Sequence, residues 1–134
     1  MDKGLARLLD ANFNRAREGL RVCEDVLRFV KNSKTGAMEL KQIRHRISAI
    51  LKHSSFSGLL AARDSGGDVG RGAQALEAKR RDWHDLYAAN LQRSKEAVRV
   101  LEEVSKLERP AAARSFKKIR FQIYAHEKKF ASKL

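Results

Sequence analysis

The two halves of the chain repeat one pattern of residues, and this repetition restricts the possible folds more than any other feature. Residues 11–26 read Ala-Asn-x-x-Arg-x-x-Glu-x-x-Arg-Val-x-Glu-Asp-Val, and residues 89–104 repeat the pattern with Glu103 in place of Asp25. Residues 41–47, Lys-x-Ile-Arg-x-x-Ile, return as residues 117–123. The chain is therefore predicted to contain two copies of a helical hairpin, packed about a pseudo-twofold axis.

Apolar residues in the first half recur every three or four positions, as the buried side of a helix requires. The stripe consists of Leu9, Phe13, Ala16, Leu20, Cys23 and Leu27. We expect this helix to run from Leu5 to Val30, with Asp2 capping its start. Asn32-Ser33 and Gly36 are expected to mark its end.

Similar stripes predict three more helices. They are expected over about 37–53, from about Ala75 to a stop at Pro110, and from there to Phe130. The segment 54–72 holds five of the eight glycines and has no helical period, so it is predicted to be a loop.

The composition supports an all-α fold. Val, Ile and Thr together supply only 13 of the 134 residues, and the chain has one proline, which excludes most all-β and α/β folds. We predict a single helical domain over 1–134, a four-helix bundle in which repeat one covers about 3–53 and repeat two about 73–132. A Gly/Asp-rich loop is expected to join them.

A net charge of +13 implies an anionic partner, which is a nucleic acid, a membrane surface or a phosphorylated metabolite. The single Cys23 cannot form an internal disulfide. The first ten residues contain no apolar stretch long enough for a signal peptide or a membrane span, so a cytoplasmic protein is expected.

Polar residues repeat on a helix side that also carries apolar residues such as Leu8 and Phe29, and they are therefore expected to point inward. They are Asn12, Arg15 and Glu18 in the first half and Asn90, Arg93 and Glu96 in the second. Arg44 and Arg120 flank the stripes of their helices in the same way. An inward guanidinium needs a carboxylate, a phosphate ligand or both. Ion pairing within each Arg-x-x-Glu unit explains the spacing equally well.

The loop combines flexible backbone with charged groups of both signs. Its candidate ligand-binding residues are Arg63, Asp64, Ser65, Gly66, Gly67, Asp68 and Gly70. Glycine N–H groups can approach phosphate oxygens, and the two aspartates could bind Mg²⁺, so a Mg-nucleotide site is one interpretation. A linker with ordinary turn chemistry is the other. Neither a phosphate-binding Gly-Lys-Ser/Thr motif nor a His/Cys metal motif is present.

Four ordered segments resemble one small family. They are residues 9–25, the Ala-Arg-Asp-Ser-x-x-Asp-Val-Gly run at 62–70, residues 89–103, and Ile-Arg-Phe-x-x-Tyr at 119–124. The family is a monofunctional hydroxymethylpyrimidine phosphate kinase, found standalone or fused ahead of thiamine phosphate synthase. The resemblance implies ATP-dependent phosphorylation of hydroxymethylpyrimidine monophosphate to the diphosphate. The two aspartates of the loop lead us to expect Mg²⁺ as the cofactor.

On this hypothesis Asp64 and Asp68 place Mg²⁺ on the ATP phosphates. The guanidinium groups that clamp the transferred group and the acceptor phosphate are those of Arg15, Arg93, Arg44, Arg120 and Arg63. Orientation of phosphate or pyrimidine is assigned to Asn12 and Asn90. Glu18 and Glu96 are expected to hold the arginines or to contact the aminopyrimidine.

Two other functions compete with the kinase. One is a basic helical module that binds nucleic acid, although the interleaved acidic residues and the small number of aromatic residues disfavour it. The other is a non-catalytic domain that docks on thiamine phosphate synthase. A homodimer is left open, and no membrane partner is expected.

Overall fold

The computed structural model describes residues 1–72 and 79–134, without the side chain of Ser54. Five α-helices follow in the order α1 (Lys3–Asp25), α2 (Lys34–Leu51), α3 (Leu59–Ala62), α4 (Trp83–Ser105) and α5 (Pro110–Phe130). Helix α1 continues into a π-helical turn, Val26–Val30, and 3₁₀ turns cover Ser54–Phe56 and Ala131–Lys133. The described residues include no strand, which confirms the predicted all-α class.

The four long helices form a closed ring of neighbours. Helix α1 packs against α2 and α4, and α5 packs against the same two helices from the other side. The expected stripe of α1 is buried at the centre, together with apolar residues of α2, α4 and α5. In α4 the buried residues include Tyr87, Leu91 and Leu101, whereas Leu107, expected in the stripe of that helix, is 76% exposed. Among the described residues no helix is long and apolar enough to span a bilayer.

The end of the first helix is set by local backbone chemistry. The Asp2 carboxylate accepts a hydrogen bond from the N–H of Leu5 at 3.0 Å, which confirms the predicted cap. Asn32 ends the helix with a positive φ of 51°. The hydroxyl of Ser33 then caps α2 by accepting from the N–H of Gly36 at 3.2 Å. Gly36 therefore lies inside α2, and its predicted role at the end of α1 is wrong.

The helix boundaries of the second half differ from those expected. Helix α4 begins at Trp83, where the Asp82 carboxylate accepts from the N–H of Asp85 at 2.8 Å. Ala75, the expected start, lies outside the described residues. Helix α4 ends at Ser105, and Pro110 begins α5. Pro110 is therefore not the end of the preceding helix, because a residue without an N–H fits the first helical turn, where that group has no partner.

The segment predicted as a loop over 54–72 is partly ordered against the core. Phe56 and Leu59 are buried, and Leu59–Ala62 forms α3, which packs on α1. The Phe56 ring meets Phe13 edge-on with centroids 5.3 Å apart, and Phe116 lies 6.5 Å away. Phe56 and Leu59 thus hold this segment against the core. The high glycine content of the segment gave no indication of this packing.

A buried polar cluster links three helices on the other side of the core. The Tyr87 hydroxyl lies 2.7 Å from Nε2 of the fully buried His126. The other ring nitrogen of His126 lies 3.4 Å from a carboxylate oxygen of Glu39. Burial lowers the pKa of His126, although Glu39 opposes this shift. The cluster therefore fixes α4 and α5 against α2.

Helices α1 and α4 approach each other most closely around Gly19. A Cβ added to Gly19 would lie 2.7 Å from the carbonyl oxygen of Asn90 and would also collide with Ser94. The Ser94 hydroxyl donates to the carbonyl oxygen of Ala16 at 3.0 Å. Only a residue without a side chain permits this crossing.

We predict that Gly19→Ala destabilises the protein by about 2 kcal/mol, because the added methyl group must displace helix backbone as well as a side chain. Gly4→Ala is the matched control, since its Cβ would meet only a side-chain atom, the capping carboxylate oxygen of Asp2 at 3.1 Å, and no helix backbone. That variant should be neutral or slightly stabilising, because alanine favours helix. Urea unfolding followed by circular dichroism measures both, and equal stabilities would contradict the close crossing.

Candidate functional site

A cleft of about 630 Å³, here called the central cleft, lies between α1 and α4. Five residues of α1 and five of α4 line it, and each pair stands at the same place in the sequence repeat. The pairs are Asn12 and Asn90, Arg15 and Arg93, Glu18 and Glu96, Gly19 and Ala97, and Val22 and Val100. The repeated polar residues therefore meet at one place.

Two asparagines at one end of the central cleft are held in fixed orientations. The side-chain amide of Asn12 donates to the carbonyl oxygen of Leu8 at 2.9 Å, and Asn90 donates to Leu86 over the same distance. Each amide therefore keeps one N–H and its carbonyl oxygen for a ligand. Such a pair can recognise either an amino group or a phosphate oxygen.

The arginines and glutamates of the central cleft are exposed, so the expectation that they are buried inside the bundle is wrong. Arg15 and Arg93 form no ion pair with any described residue, and the alternative pairing within each Arg-x-x-Glu unit is not seen. Glu96 accepts a hydrogen bond from Gln92 instead. The physical reason is that the stripe of Leu9 and Phe13 occupies the core, which leaves the neighbouring side of α1 at an open edge.

A second cleft, of about 450 Å³ and here called the loop cleft, lies between the first half of α1 and the loop after α3. Asn12 and Arg15 line both clefts. Arg63 reaches across to α1, where its Nε and Nη2 donate to the two carboxylate oxygens of Asp10 at 2.7 and 2.8 Å. This hydrogen bonding raises the pKa of Arg63. The pair fixes the loop against α1.

The aspartates of the loop stabilise its turns. Asp64 accepts from the N–H of Gly67 and Asp68 from the N–H of Gly70, both at 2.9 Å. Asp64, Ser65 and Asp68 line the loop cleft, whereas Gly66, Gly67 and Gly70 do not. Among the described residues no group of three His, Cys, Asp or Glu side chains could hold a metal ion. Asp64 and Asp68 therefore provide at most two carboxylate ligands from this loop, fewer than a metal ion held by protein alone requires.

Arg44 and Arg120 lie outside both clefts. Nε of Arg44 donates to Glu24 at 3.0 Å, and Nε of Arg120 donates to Glu102 at 2.8 Å. An inward-pointing arginine was predicted to require a carboxylate partner, and these two arginines confirm that prediction. Sequence reasoning missed Glu24, Glu102 and Asp10 as partners. The repeat contained the signal for the first two, because Glu24 and Glu102 recur within it.

The described geometry can be set beside known proteins. Residues 7–129 match the model of the ThiD2 family. The chain belongs to the ThiD2 family. The match covers both halves of the repeat, both clefts and the buried ion pairs, so the sites described above lie within the family domain.

Curated relatives of this ThiD2 chain are considerably longer proteins. A protein named thiamine-phosphate synthase from Synechocystis sp. is 45% identical over 124 residues, which cover 92% of this chain and 35% of the relative. Proteins of the same name from Rhodopirellula baltica and Nostoc punctiforme are 40% and 42% identical, over 32% and 34% of their lengths. The chain spans about a third of these relatives. No solved structure matches it significantly.

We predict that Glu102→Gln destabilises this ThiD2 domain by about 3 kcal/mol, because it leaves the guanidinium of Arg120 buried without its counter-charge. Glu24→Gln should act in the same direction and more weakly, since the Arg44 side chain is 17% exposed against 9% for Arg120. Glu103→Gln breaks an exposed pair on the same helix as Glu102 and serves as the control. Thermal unfolding measures the loss of stability in each variant. A loss in Glu103→Gln equal to that in Glu102→Gln would contradict the prediction.

Proposed function

We propose that this ThiD2 domain transfers the γ-phosphoryl group of ATP to hydroxymethylpyrimidine monophosphate and so forms the diphosphate used in thiamine biosynthesis. One observation carries the proposal. Residues from three separated family-like segments, at 9–25, 62–70 and 89–103, line two clefts that share Asn12 and Arg15. The names of the curated relatives, thiamine-phosphate synthases, support the same metabolic setting.

The two clefts suit two anionic substrates. In our proposal the triphosphate of ATP occupies the loop cleft and the pyrimidine monophosphate occupies the central cleft. Arg15 then stands at the junction, where it contacts the transferred phosphoryl group, and Arg93 binds the acceptor phosphate. Glu18 or Glu96 accepts from the exocyclic amino group of the pyrimidine. The lack of an ion pair to a described residue at Arg15 and Arg93 supports these roles, because both guanidinium groups are available to ligand.

The proposed reaction needs no general base. The acceptor is a phosphate monoester with a second pKa of about 6, so it is largely a dianion at neutral pH. Its oxygen attacks the γ-phosphorus, the bond from that phosphorus to the β,γ-bridging oxygen breaks, and ADP leaves. Because no proton is removed, the protein has only to hold the two anions in line and offset their charge.

Mg²⁺ would supply charge neutralisation on the ATP phosphates. Asp64 and Asp68 are the residues proposed to hold it, each with the carboxylate oxygen that is not used in the turn. Two carboxylates are enough when phosphate oxygens and water complete an octahedral shell. The Arg63–Asp10 pair keeps these aspartates beside α1.

The first test is ADP formation from ATP and Mg²⁺ by the purified chain. Turnover is expected with hydroxymethylpyrimidine monophosphate and not with the free alcohol or without acceptor. Arg93→Ala should lower kcat/KM by about 100-fold, as loss of one charge-stabilising donor does. Arg99→Ala is the matched control on the same helix, since Arg99 pairs with Glu103 outside both clefts. An equal loss in both variants would refute the assignment of Arg93.

The role of Asp64 can be separated from its role in the turn. Asp64→Asn retains an oxygen that accepts the Gly67 N–H and removes the negative charge. We expect it to raise the Mg²⁺ concentration for half-maximal activity by about tenfold, since magnesium binds carboxylate far better than amide. Circular dichroism should stay unchanged. Unaltered Mg²⁺ dependence would remove Asp64 from the metal site.

The alternative is a non-catalytic domain that accompanies thiamine-phosphate synthase. This alternative is retained because the chain matches only about a third of each relative that bears that name. Such a domain would bind the pyrimidine phosphate and leave ATP unchanged. Binding of the monophosphate without ADP formation, in folded protein, would therefore choose this alternative.

A further inference from the structure

The two copies of the hairpin carry basic side chains at two corresponding positions but differ in the hydrogen-bond acceptors that they offer them. In the second copy Nη1 of Arg120 donates to the hydroxyl of Tyr124 at 3.1 Å. Nζ of Lys95 donates to both carboxylate oxygens of Glu127 at 2.9 Å and lies 5.8 Å from the centroid of the Tyr124 ring. In this copy Tyr124 and Glu127 therefore accept hydrogen bonds from both cations.

The first copy keeps the cations and lacks both partners. In the alignment of the repeats Arg17 and Arg44 correspond to Lys95 and Arg120, whereas Ser48 stands at the place of Tyr124 and Leu51 at that of Glu127. The buried Nε of Arg17 has no hydrogen-bond partner among the described residues. Nη1 of Arg44 donates to none of them either, since only its Nε and Nη2 contact Glu24.

Around Ser48, which corresponds to Tyr124, the first copy contains a cleft of about 240 Å³, here called the arginine cleft. Its lining residues are Asn14, Arg17, Glu18, Arg21, Arg44 and Ser48. These residues carry three guanidinium groups against one carboxylate. Arg21 is partly neutralised by Asp25 at 3.3 Å, as Arg44 is by Glu24. Nη2 of Arg17 donates to Oδ1 of Asn14 at 3.1 Å, whereas Nε of Arg17 and Nη1 of Arg44 have no acceptor in the part of the chain that the structure describes.

We propose that the arginine cleft binds a phosphate group, whose oxygens take the places of the Tyr124 hydroxyl and the Glu127 carboxylate. Phosphate is the best match, because several oxygens on one centre can accept from two guanidinium groups and from the Ser48 hydroxyl together. The site lies between α1 and α2 and is distinct from the central cleft, although Glu18 borders both. It does not rest on the proposed kinase activity.

The test is an NMR titration with inorganic phosphate that follows the Nε–H resonances of arginine at constant ionic strength. Saturable shifts are expected at Arg17 and Arg44. Ser48→Tyr, which copies the second half, should weaken phosphate binding at least tenfold, whereas Ser48→Ala keeps the space and should change it less than threefold. The proposal is overturned if sodium chloride reproduces the shifts, if they do not saturate, or if folded Ser48→Tyr binds as the wild type does.

The reciprocal variant tests the reasoning from the repeat. Tyr124→Ser combined with Glu127→Leu gives the second copy the residues of the first at these two positions, so a phosphate-dependent shift should appear at Arg120. A folded double variant without that shift would count against the proposal. Parallel titrations with ATP and with a pyrimidine monophosphate show which phosphorylated molecule supplies the group. Inactivity in the ADP assay would leave these shifts unaffected, so the two proposals can fail separately.

Discussion

The close crossing of α1 and α4 at Gly19 is the constraint on which the candidate site depends. Because Gly19 has no side chain, its helix lies against the carbonyl oxygen of Asn90 and the hydroxyl of Ser94. Larger side chains on either side of the crossing cannot enter it and instead border the central cleft. The polar residues of both repeats therefore face one shared space, with Gly19 and Ala97 among the residues that line it.

Each hairpin is held by a buried ion pair at the same place in the repeat. Glu24 joins α1 to Arg44 on α2, and Glu102 joins α4 to Arg120 on α5. Removing one partner of such a pair is costly, because it leaves the other charge inside the bundle without its counter-charge. The two arginines thus serve structure first, and Nη1 of Arg44 donates to no described residue beside the arginine cleft.

Much of the fold follows from the periodicity of apolar residues. The stripe from Leu9 to Leu27 is buried as expected, because a 3.6-residue period presents one continuous side to the core. The same reasoning fails for Arg15, because Leu8 and Phe29, the apolar residues on its side of the helix, are 38% and 64% exposed and lie outside the core. When apolar residues lie on two adjacent sides of one helix, their spacing alone does not tell which side packs against a neighbouring helix. Phe56 was missed because one apolar residue in a short turn produces no period at all.

Local spacing along the chain is enough to predict the class of the fold, the number of long helices and the set of repeated polar residues. Tertiary structure alone decided that Asn12, Arg15 and Glu18 meet their counterparts in one cleft, and that Arg63 joins the loop to Asp10. It also decided that Tyr124 accepts a hydrogen bond from Arg120 in one half, whereas a cleft lies around Ser48 in the other. Such outcomes depend on how the helices pack, and packing is set by contacts between residues far apart in the chain.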